Sequence, residues 1–427
     1  AVDKLGIALA SCSNYPFGYF NAYDAIARDP DVDVVLHTGD YIYEYGGPDG
    51  WGEEEGAVIG RPHDPPHEII TLADYRTRHA QYKSDAGSRE MLAAHPLLCC
   101  WDDHESANNP WFDGAQNHQP ETEGSWTDRR AASIQAYYEW MPIREPVPGR
   151  TRAEFWRTYS FGDLATLVTL ETRHTARGKQ VDYAEWAPKL NTEEEYQAFV
   201  RDVLGDPDRH MISPAMQDDL RAALGASVAG GQVWRVIGNQ IPMARTPVPD
   251  VVGLGVLPVP DDASLDAHKR MAWLGQHALP FYTDTWDGYP VAREAFYELC
   301  RASGASDLLV LTGDSHSFWA NTLADDAGNS MGVELGTAGI TSPGDFVDSG
   351  FDADTAMALD RVFADQLPEV VWTDNMHQGY VRVVLQPDAA KADFVAVSTV
   401  LTPDYSASTV KSYRIGHEAG QLRMVEA

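Results

Sequence analysis

The stretch Val34-Val-Leu-His-Thr-Gly-Asp-Tyr-Ile-Tyr-Glu44 decides the fold of this chain. An almost wholly apolar run at 32–36 predicts a strand that is buried on both faces, as in a parallel sheet covered by helices. Gly39 and Asp40 follow, so the chain turns sharply and directs a carboxylate beyond the end of the strand. Because open α/β sheets bind ligands at this edge, the stretch predicts an α/β fold with Asp40 at a binding edge. Taken alone, Asp40 could equally cap the next helix or turn.

Other predicted strands end in the same way. Apolar runs at 5–10, 97–101, 232–237 and 308–311 are each followed by polar residues. The candidate residues at all these ends are Cys12 and Asn14, Asp40 and Tyr43, Asp102, Asp103 and His104, Asn239 and Gln240, and Asp314 and His316. Because the carboxyl ends of parallel strands share one edge, we expect these side chains to converge. Carboxylate and amide oxygens together with His nitrogen are typical of two-metal hydrolases, in which one Asp bridges the ions.

Taken singly, these candidates also have structural interpretations. Cys12 is a typical core thiol, and the Asp102-Asp103 pair resembles a helix cap. Tyr43 is equally consistent with a buried phenol that has a hydrogen-bond partner. Asn239 and Gln240 are the weakest members of the group and are expected to be structural. The recurrence of Asp or Cys at the ends of four separate strands is what favours a metal site.

The charge of the chain limits its possible partners. There are 32 basic and 64 acidic residues, which gives a formal net charge of −32, and no basic run is present. Nucleic-acid binders need clustered Lys and Arg, so no nucleic-acid binding surface is expected. An anionic substrate would need local positive charge, which bound metal ions supply. The sequence leaves the oligomeric state open.

The 427 residues are 44% hydrophobic, which is enough for a large core, and no stretch resembles an interdomain linker. We therefore expect a single domain over 1–427. Cys99 and Cys100 lie in an apolar run and are expected in the core, so no disulfide framework is indicated. No segment is long and apolar enough to span a membrane, and no signal peptide is seen. The chain begins Ala1-Val-Asp3 without an initiator Met, so this says nothing firm about export.

Hydrophobic periodicity predicts the other elements in outline. Helices are expected at 19–28, 71–82, 88–94, 128–140, 192–203, 214–224 and 291–302. A hairpin is expected at 155–161 and 164–170, and strands at 380–385, 394–400 and 413–415 predict an antiparallel flank of the sheet. The stretches 46–68 and 247–260 are rich in Gly and Pro and are expected to be loops that set the size of the crevice.

Several strand ends belong to longer motifs. These are Ser11-Cys-Ser-Asn-Tyr15, Gly39-Asp-Tyr-Ile-Tyr-Glu44, Asp74-Tyr-Arg76, Trp101-Asp-Asp-His-Glu105 with Asn108-Asn109, Trp286-Asp-Gly-Tyr289, Gly313-Asp-Ser-His316 and Gly336-Thr-Ala-Gly-Ile-Thr-Ser-Pro-Gly344. Their order and spacing closely resemble the alkaline phosphatase D (PhoD) family of metallophosphatases over most of the chain. Members of that family often carry a separate N-terminal β-sandwich, whereas this chain starts at the first strand expected of the catalytic domain.

The resemblance implies a calcineurin-like α/β/β/α sandwich of two mixed sheets flanked by helices. It also implies a site in which ferric iron, Fe(3+), lies alongside calcium, Ca(2+). The implied iron ligands are Cys12, Asp40, Tyr43 and His316, and Asp40 would also bridge to calcium held by Asp102 or Asp103, Asn109 and Asp314. Which of the two adjacent aspartates binds metal is left open. Thiolate and phenolate are anionic donors that suit ferric iron, and Asn14 stands where ordinary calcineurin-like enzymes have His.

The activity that the resemblance implies is metal-dependent hydrolysis of phosphate monoesters, diesters or both, in a periplasmic or secreted enzyme. His104 is the candidate for stabilising the transition state or protonating the leaving group, and otherwise it positions a neighbouring carboxylate. Arg173 is the candidate for a fork onto phosphate oxygens, with a surface ion pair as its alternative. Some relatives are phospholipases of the D type, which is an alternative activity within the family.

Two alternatives come from other functional classes. A non-haem iron oxygenase would need two His and one carboxylate, and the strand ends supply one His ligand candidate, His316. A non-catalytic metal-binding protein would have no need of His104 next to a complete set of ligands. Both alternatives are therefore weaker than the phosphoesterase interpretation.

Overall fold

The computed structural model describes residues 2–261 and 263–427. Its strands are β1 (Leu5–Ala10), β2 (Val34–His37), β3 (Leu97–Cys99), β4 (Pro110–Trp111), β5 (Gly114–Ala115), β6 (Arg157–Phe161), β7 (Ala165–Thr169), β8 (Trp234–Asn239), β9 (Leu308–Thr312), β10 (Phe318–Ala324), β11 (Ser330–Gly336), β12 (Val370–Asp374), β13 (Gln378–Leu385), β14 (Ala390–Val397), β15 (Ala407–Glu418) and β16 (Gln421–Glu426). Its α-helices are α1 (Asn21–Ala27), α2 (Glu53–Ile59), α3 (Leu72–Ser84), α4 (Ala86–Ala94), α5 (Pro120–Glu123), α6 (Trp126–Trp140), α7 (Tyr183–Trp186), α8 (Glu193–Phe199), α9 (Pro214–Ala229), α10 (Asp266–His277), α11 (Pro290–Ala302), α12 (Asp345–Asp348) and α13 (Ala353–Gln366).

The first large sheet has the strand order β16-β15-β14-β13-β1-β2-β3. Its β1, β2 and β3 are parallel, with Ala8 opposite Val35 and Val35 opposite Leu97. β13 pairs with β1 in the antiparallel sense and continues into an antiparallel meander through β16. This meander confirms the predicted antiparallel flank. The parallel half brings the ends of three motif-bearing strands to one edge.

The second large sheet has the strand order β12-β10-β11-β9-β8-β7-β6. Its central strands β7, β8, β9 and β11 are parallel, and β6, β10 and β12 are antiparallel to their neighbours. The predicted hairpin is present as β6 and β7. Glu171, Gln240 and Asp314 follow one or two residues after the ends of β7, β8 and β9, close to the edge where the first sheet presents its own polar ends.

The two sheets face each other across an apolar core. Ile7 and Leu9 of β1 pack in one cluster with Val236 of β8 and Leu309 of β9. The residue between them, Ala8, points to the other face, as the two-residue period of a strand requires, and contributes to a cluster with α1, α3, α4 and α6. Helices α9 and α11 cover the outer face of the second sheet. These layers confirm the predicted α/β/β/α sandwich of two mixed sheets, whereas the single domain over 1–427 stays a prediction.

Some elements differ from the sequence prediction. The stretch 46–68 is not wholly a loop, because it contains the seven-residue helix α2 between Gly52 and Gly60, which is too short to show a periodic pattern. The predicted strand to Trp101 ends at Cys99. Helices α10 and α13 and strands β10 to β12 were not predicted. In β10 and β11 the reason is that two buried polar residues, Asn321 and Glu334, hydrogen-bond at 3.0 Å and interrupt the apolar pattern.

All four cysteines are buried and free, as the sequence analysis expected of Cys99 and Cys100. Burial of this kind is typical of thiols that act as small apolar side chains. Within the part of the chain that the structure describes, no helix combines the length and the apolar character needed to cross a bilayer.

Candidate metal centre

The carboxyl ends of β1, β2 and β3 meet at one point. The backbone N–H of Cys12 donates to the carbonyl of Gly39 (3.3 Å), and that of Ser13 donates to the carbonyl of Asp40 (2.9 Å). Gly39 has a φ of 111°, and any side chain at this position would collide with the backbone of Asp102. Glycine is therefore required where the ends of β2 and β3 approach each other.

The end of β9 joins this point from the second sheet. A Cβ atom on Gly313 would collide with the hydroxyl groups of Ser11 and Thr38, so the close approach of the two sheets depends on glycine here. Asp314 and His316 follow directly and enter the same pocket. The convergence of strand ends predicted from the sequence is present in the fold.

A first cluster consists of Cys12, Asp40 and His316, each of which offers a ligand atom within 4.8 Å of the other two. The Sγ of Cys12 lies 3.4 Å from Oδ2 of Asp40. The hydroxyl of Tyr43 lies 3.2 Å from the same oxygen and 3.4 Å from Nε2 of His316. The four side chains that the sequence analysis named for iron therefore lie side by side.

Two further groups also offer ligand atoms within 4.8 Å of one another: Asp102 with Asp103 and Asp314, and Asp40 with Asp103 and His104. Asp40 and Asp103 each belong to two groups and connect the clusters. The backbone N–H of Asn109 donates to Oδ2 of Asp103 at 2.9 Å, whereas its side-chain amide donates to Gln116 at 2.7 Å. Asn109 therefore lies at the rim of the pocket, next to the shared Asp103.

The backbone is strained at these positions. Within residues 2–261 and 263–427, seven non-glycine residues have positive φ, and five of them are candidate ligands: Cys12 (61°), Asp40 (56°), Asn109 (50°), Asp314 (69°) and His316 (54°). Non-glycine residues rarely adopt this conformation because of steric crowding at Cβ. Such strain persists where the surrounding structure enforces it, and it concentrates at functional sites. The backbone thus identifies this pocket independently of the residue types.

The buried carboxylates of the pocket repel one another, because water does not screen their charges there. Burial, followed by the charges of Asp103 and Asp102, raises the pKa of Asp40 well above its ordinary value. Burial and the charge of Asp102 likewise raise the pKa of Asp314. Among the described residues, Oδ2 of Asp102 is buried without a hydrogen-bond partner. This donor set fits bound cations, which would offset the repulsion and give the orphaned oxygen a partner.

The pKa values of the thiol and the phenol in the first cluster are also raised by burial. Burial, followed by the charge of Asp40, raises the pKa of both Cys12 and Tyr43 well above their ordinary values. Neither group would ionise near neutral pH in this pocket as it stands. A coordinated cation deprotonates a thiol, so a bound cation would be needed to make anionic ligands of these two side chains.

Arg173 is the main positive charge inside the pocket. Its Nε donates to Asp102 (2.5 Å), its Nη1 to Asp284 (2.6 Å) and its Nη2 to Asp314 (3.3 Å). The alternative of a surface ion pair is wrong, because the side chain is fully buried. Asp284, which the sequence analysis missed, also accepts from Arg177 at 2.5 Å. The guanidinium therefore orders three carboxylates of the pocket.

This arrangement predicts a stability effect. In protein freed of metal by a chelator, Arg173→Met should lower the free energy of unfolding by about 3–5 kcal/mol, because it leaves buried carboxylates without their partner. Urea unfolding measures the change, and added calcium should recover part of the loss. The control is Arg221→Met, which removes an exposed ion pair with Asp218 and should change little. Equal stability of the two variants would show that Arg173 does not balance the carboxylates.

Glu44, a residue of the 39–44 motif to which no role was assigned from the sequence, holds His104 in place. The Nδ1 of His104 lies 2.7 Å from Oε2 of Glu44, and Glu44 also accepts from the backbone N–H of Asn108 (2.7 Å) and the amide of Asn117 (2.8 Å). Burial alone would lower the pKa of His104, but the carboxylates of Asp103 and Glu44 outweigh it and raise the pKa to about 9. Glu44 therefore fixes the orientation of the imidazole and, together with Asp103, favours its charged form.

Glu105 is a second residue of the quoted motifs whose role was missed. Its carboxylate accepts from the backbone N–H groups of Asp40 (3.1 Å), Tyr41 (2.6 Å) and Asp102 (2.8 Å). It therefore ties the end of β2 to the end of β3. Its position three residues after Asp102 was the available signal, since an acidic residue at a tight turn often binds backbone N–H groups.

Trp51 covers the pocket from the 46–68 stretch. Its ring stacks on His316 with centroids 5.4 Å apart and lies nearly parallel to His104 at 6.5 Å. Its Nε1 donates to Asp348 at 3.0 Å, which fixes the indole in place. The 46–68 stretch therefore limits access to the candidate ligands, in agreement with the expectation that it helps to set the size of the crevice.

Three candidates at strand ends are structural. Oδ1 of Asn239 accepts from Nε1 of Trp286 at 3.1 Å, and Nε2 of Gln240 donates to a backbone carbonyl just after β7 at 2.7 Å. Oδ1 of Asn14 accepts from the hydroxyl of Tyr82 at 3.3 Å. All three use their polar atoms to hold loops together, as the sequence analysis expected for Asn239 and Gln240.

Comparisons with known proteins agree with this fold. The sequence pattern of the family described as "PhoD-like phosphatase" matches residues 7–394. The chain is 32% identical over 433 residues to alkaline phosphatase D of Bacillus subtilis (strain 168). The alignment covers 100% of this chain and 64% of that protein. A solved structure of PhoD is similar with a TM-score of 0.75 and 31% identity, and the match covers 99% of this chain and 72% of that one.

The matches differ in how much of each protein they cover. The chain spans 64% of the length of its curated relative. The family pattern, by contrast, covers most of this chain, from β1 into β14, and includes every strand end described above. The fold is calcineurin-like, as in PhoD. This chain belongs to the PhoD-like phosphatase family.

Proposed function

We propose that this protein is a metal-dependent phosphoesterase that hydrolyses phosphate monoesters, diesters or both. One observation carries the proposal, namely the meeting of anionic and imidazole ligands from four separate strand ends in one buried pocket. Membership of the PhoD-like phosphatase family and the similarity to a protein named alkaline phosphatase D support the same activity. Phosphate esters suit such a pocket because clustered cations attract them in spite of the acidic surface.

We assign ferric iron to Cys12, Asp40, Tyr43 and His316, and calcium to Asp102, Asp103, Asn109 and Asp314, with Asp40 between the two. Thiolate and phenolate suit ferric iron, and oxygen ligands suit calcium. Asp103 belongs to two of the ligand groups, so both adjacent aspartates are retained, with Asp103 as the shared one. When bound, cations at this place polarise a phosphate oxygen and lower the pKa of a water molecule so that it reacts near neutral pH.

His104 is our candidate for the general acid. Because Glu44 engages Nδ1, Nε2 is the nitrogen left to face a substrate, and it lies 3.9 Å from Oδ2 of Asp103. From that position it can donate a proton to the leaving oxygen or stabilise negative charge on the phosphoryl group. For Arg173 we propose a positioning role, since its side chain is fully buried and bonded to the carboxylates of Asp102, Asp284 and Asp314.

The alternatives are less well supported. For an oxygenase, the first cluster contains a single His among the described residues, together with a thiol and a phenol. A metal-storage protein would not need Glu44 to hold His104 in one orientation. A phospholipase of the D type uses the same bond chemistry and would differ in the substituents that the surroundings of the pocket accept.

Metal analysis joined to activity is the experiment that tests the proposal. We expect purified protein with iron to be coloured, because thiolate and phenolate ligands transfer charge to ferric iron, and we expect a chelator to remove colour and activity together. The measurements are elemental analysis, the visible spectrum and hydrolysis of p-nitrophenyl phosphate before and after chelation. A colourless, iron-free and fully active protein would contradict the iron assignment.

A pair of cysteine variants gives this experiment its control. Cys12→Ser should weaken the visible band by removing the thiolate. Cys300→Ser removes another buried, free thiol, on α11, and should leave the spectrum unchanged. A visible band of unchanged position and intensity in Cys12→Ser protein that retains its iron would remove Cys12 from the ligand set, because the Tyr43 phenolate alone should give a different and weaker band.

The remaining assignments extend the same proposal. We propose a periplasmic or secreted location, which rests on the resemblance to the family rather than on any feature of this chain. We also propose that the partner is a small phosphate ester rather than a nucleic acid, given the net charge of −32.

A further inference from the structure

A cleft of about 750 Å³ opens beside the metal centre. It reaches the centre at two residues, Asn109 and Asp284, which are bonded to Asp103 and Arg173 respectively. Its walls come from the segments 109–116, 179–187 and 270–284. This cleft is therefore not formed by the 46–68 and 247–260 stretches, from which the sequence analysis expected the shape of the crevice.

The walls of the cleft are aromatic. Trp111, Tyr183, Trp273 and Tyr282 all line it. The rings of Tyr183 and Trp273 pack edge to face with centroids 5.4 Å apart. Four aromatic side chains around one open space form a surface on which a planar group can stack, and such stacking does not depend on the exact ring.

Two cationic side chains, Lys179 and Arg270, line the same space. Within the described residues, neither Lys179 nor Arg270 forms an ion pair, although acidic residues outnumber basic ones twofold in this chain. The two carboxylates of the cleft are already occupied, since Asp284 pairs with Arg173 and Asp182 caps α7. The cleft therefore offers two cationic side chains that an anion can contact, in a protein of strongly negative net charge.

Hydrogen bonds within the protein hold the walls of the cleft in place. The hydroxyl of Tyr183 donates to the carbonyl of Pro280 at 2.9 Å, and Nη2 of Arg270 donates to that of Phe281 at 2.6 Å. On the opposite wall, the amide of Gln180 donates to the carbonyl of Asn109 at 3.3 Å. Pre-organised walls lower the entropic cost of binding, as is typical of small-molecule sites.

We propose that this cleft is a substrate subsite that stacks a planar aromatic substituent of a phosphate ester, with Lys179 and Arg270 attracting its negative charge. The inference rests on the proposed function in that the ester phosphate would lie at the metal centre beyond Asn109 and Asp284. A nucleoside is a substituent of this class, because it joins a planar base to the phosphate through a short linker.

Trp111→Ala tests the subsite. It should lower kcat/KM for thymidine 5′-p-nitrophenyl phosphate by about tenfold or more, since one stacking surface is lost, and should leave the ring-free diester diglycerol phosphate almost unchanged. The control is Phe112→Ala, because the next residue along the chain packs against Arg130 outside the cleft and should affect neither substrate. Equal effects of Trp111→Ala on both substrates, or no effect on either, would overturn the proposal.

Binding of thymidine 5′-monophosphate, measured by calorimetry, tests the subsite independently of the proposed catalytic activity. Weaker binding by Trp111→Ala than by wild type, in protein that hydrolyses no ester, would support the cleft and overturn the phosphoesterase function. Unchanged binding by the variant would overturn the cleft whatever the activity. If Trp111→Ala unfolds, Lys179→Glu serves instead, since this side chain has no ion pair to lose in the described part of the chain, and the reversed charge should weaken binding by about tenfold or more.

Discussion

Asp40→Asn should abolish hydrolysis of p-nitrophenyl phosphate and bis-p-nitrophenyl phosphate together. Asp40 belongs to two of the three ligand groups, and in our assignment it bridges the ions, so an amide at this position weakens both sites at once. Loss of an outer partner of a metal ligand already costs roughly 10- to 100-fold, and loss of a bridging ligand should exceed that. Steady-state rates on both esters, with iron and calcium content measured in the same samples, provide the test.

The substitution is well matched to its backbone. Asp40 has a φ of 56°, a conformation that Asn also tolerates, so the variant removes charge without adding strain. Asp388→Asn makes the same change at an exposed carboxylate and should leave both rates intact. Retention of either activity in Asp40→Asn protein would exclude Asp40 as the bridge, and the two esters must fail together because both depend on the same ions.

The strand ends could be predicted because their signals are local. An apolar β-branched run that stops at Gly-Asp is visible in the sequence, and the rule that parallel strands share an edge converts several such runs into one pocket. Cys12, Asp40 and Asp314 were named in this way, and the structure places them together. The resemblance added Asn109, which lies ten residues beyond the end of β3 and carries no strand signal of its own.

The supporting contacts could not be predicted, because they join segments distant in the chain. Glu44 and Glu105 stand in the quoted motifs, but the role of each depends on where His104 and the ends of β2 and β3 lie in space. Asp284 lies 111 residues from Arg173, its ion-pair partner. Periodicity describes single elements, and only the packing of the sheets brings these side chains together.

The aromatic cleft was missed for the same physical reason. Its three wall segments are mostly loops and short helices with no common pattern, and they meet only because both sheets end near them. The stretches 46–68 and 247–260 were expected to set the size of the crevice because Gly- and Pro-rich segments are the most visible irregular parts of a sequence. One of these does cover the metal pocket through Trp51, whereas the aromatic cleft beside it is bounded by residues that no sequence signal marked.

His104→Ala should lower kcat by about 10²- to 10⁴-fold while leaving most of the metal in place. The imidazole is not in either of our ligand assignments, so its loss removes a proton donor rather than an ion. Ring stacking with Tyr43, with centroids 4.2 Å apart, and the bond to Glu44 hold it in a single orientation over the pocket. Turnover of p-nitrophenyl phosphate and elemental analysis of the same preparation measure the two quantities separately.

Two further variants decide how the effect arises. His377→Ala removes a partly exposed imidazole that also pairs with a carboxylate, that of Asp374, and should leave kcat unchanged. Glu44→Gln keeps the size of the side chain and should cost about 10- to 100-fold, because it frees the ring that Glu44 orients. If Glu44 acts only through His104, the double variant should be no slower than His104→Ala alone, since residues that act as a unit are not additive. Loss of iron or calcium from His104→Ala protein would instead make His104 a structural support of the ligands, and the proton would then have to come from another group.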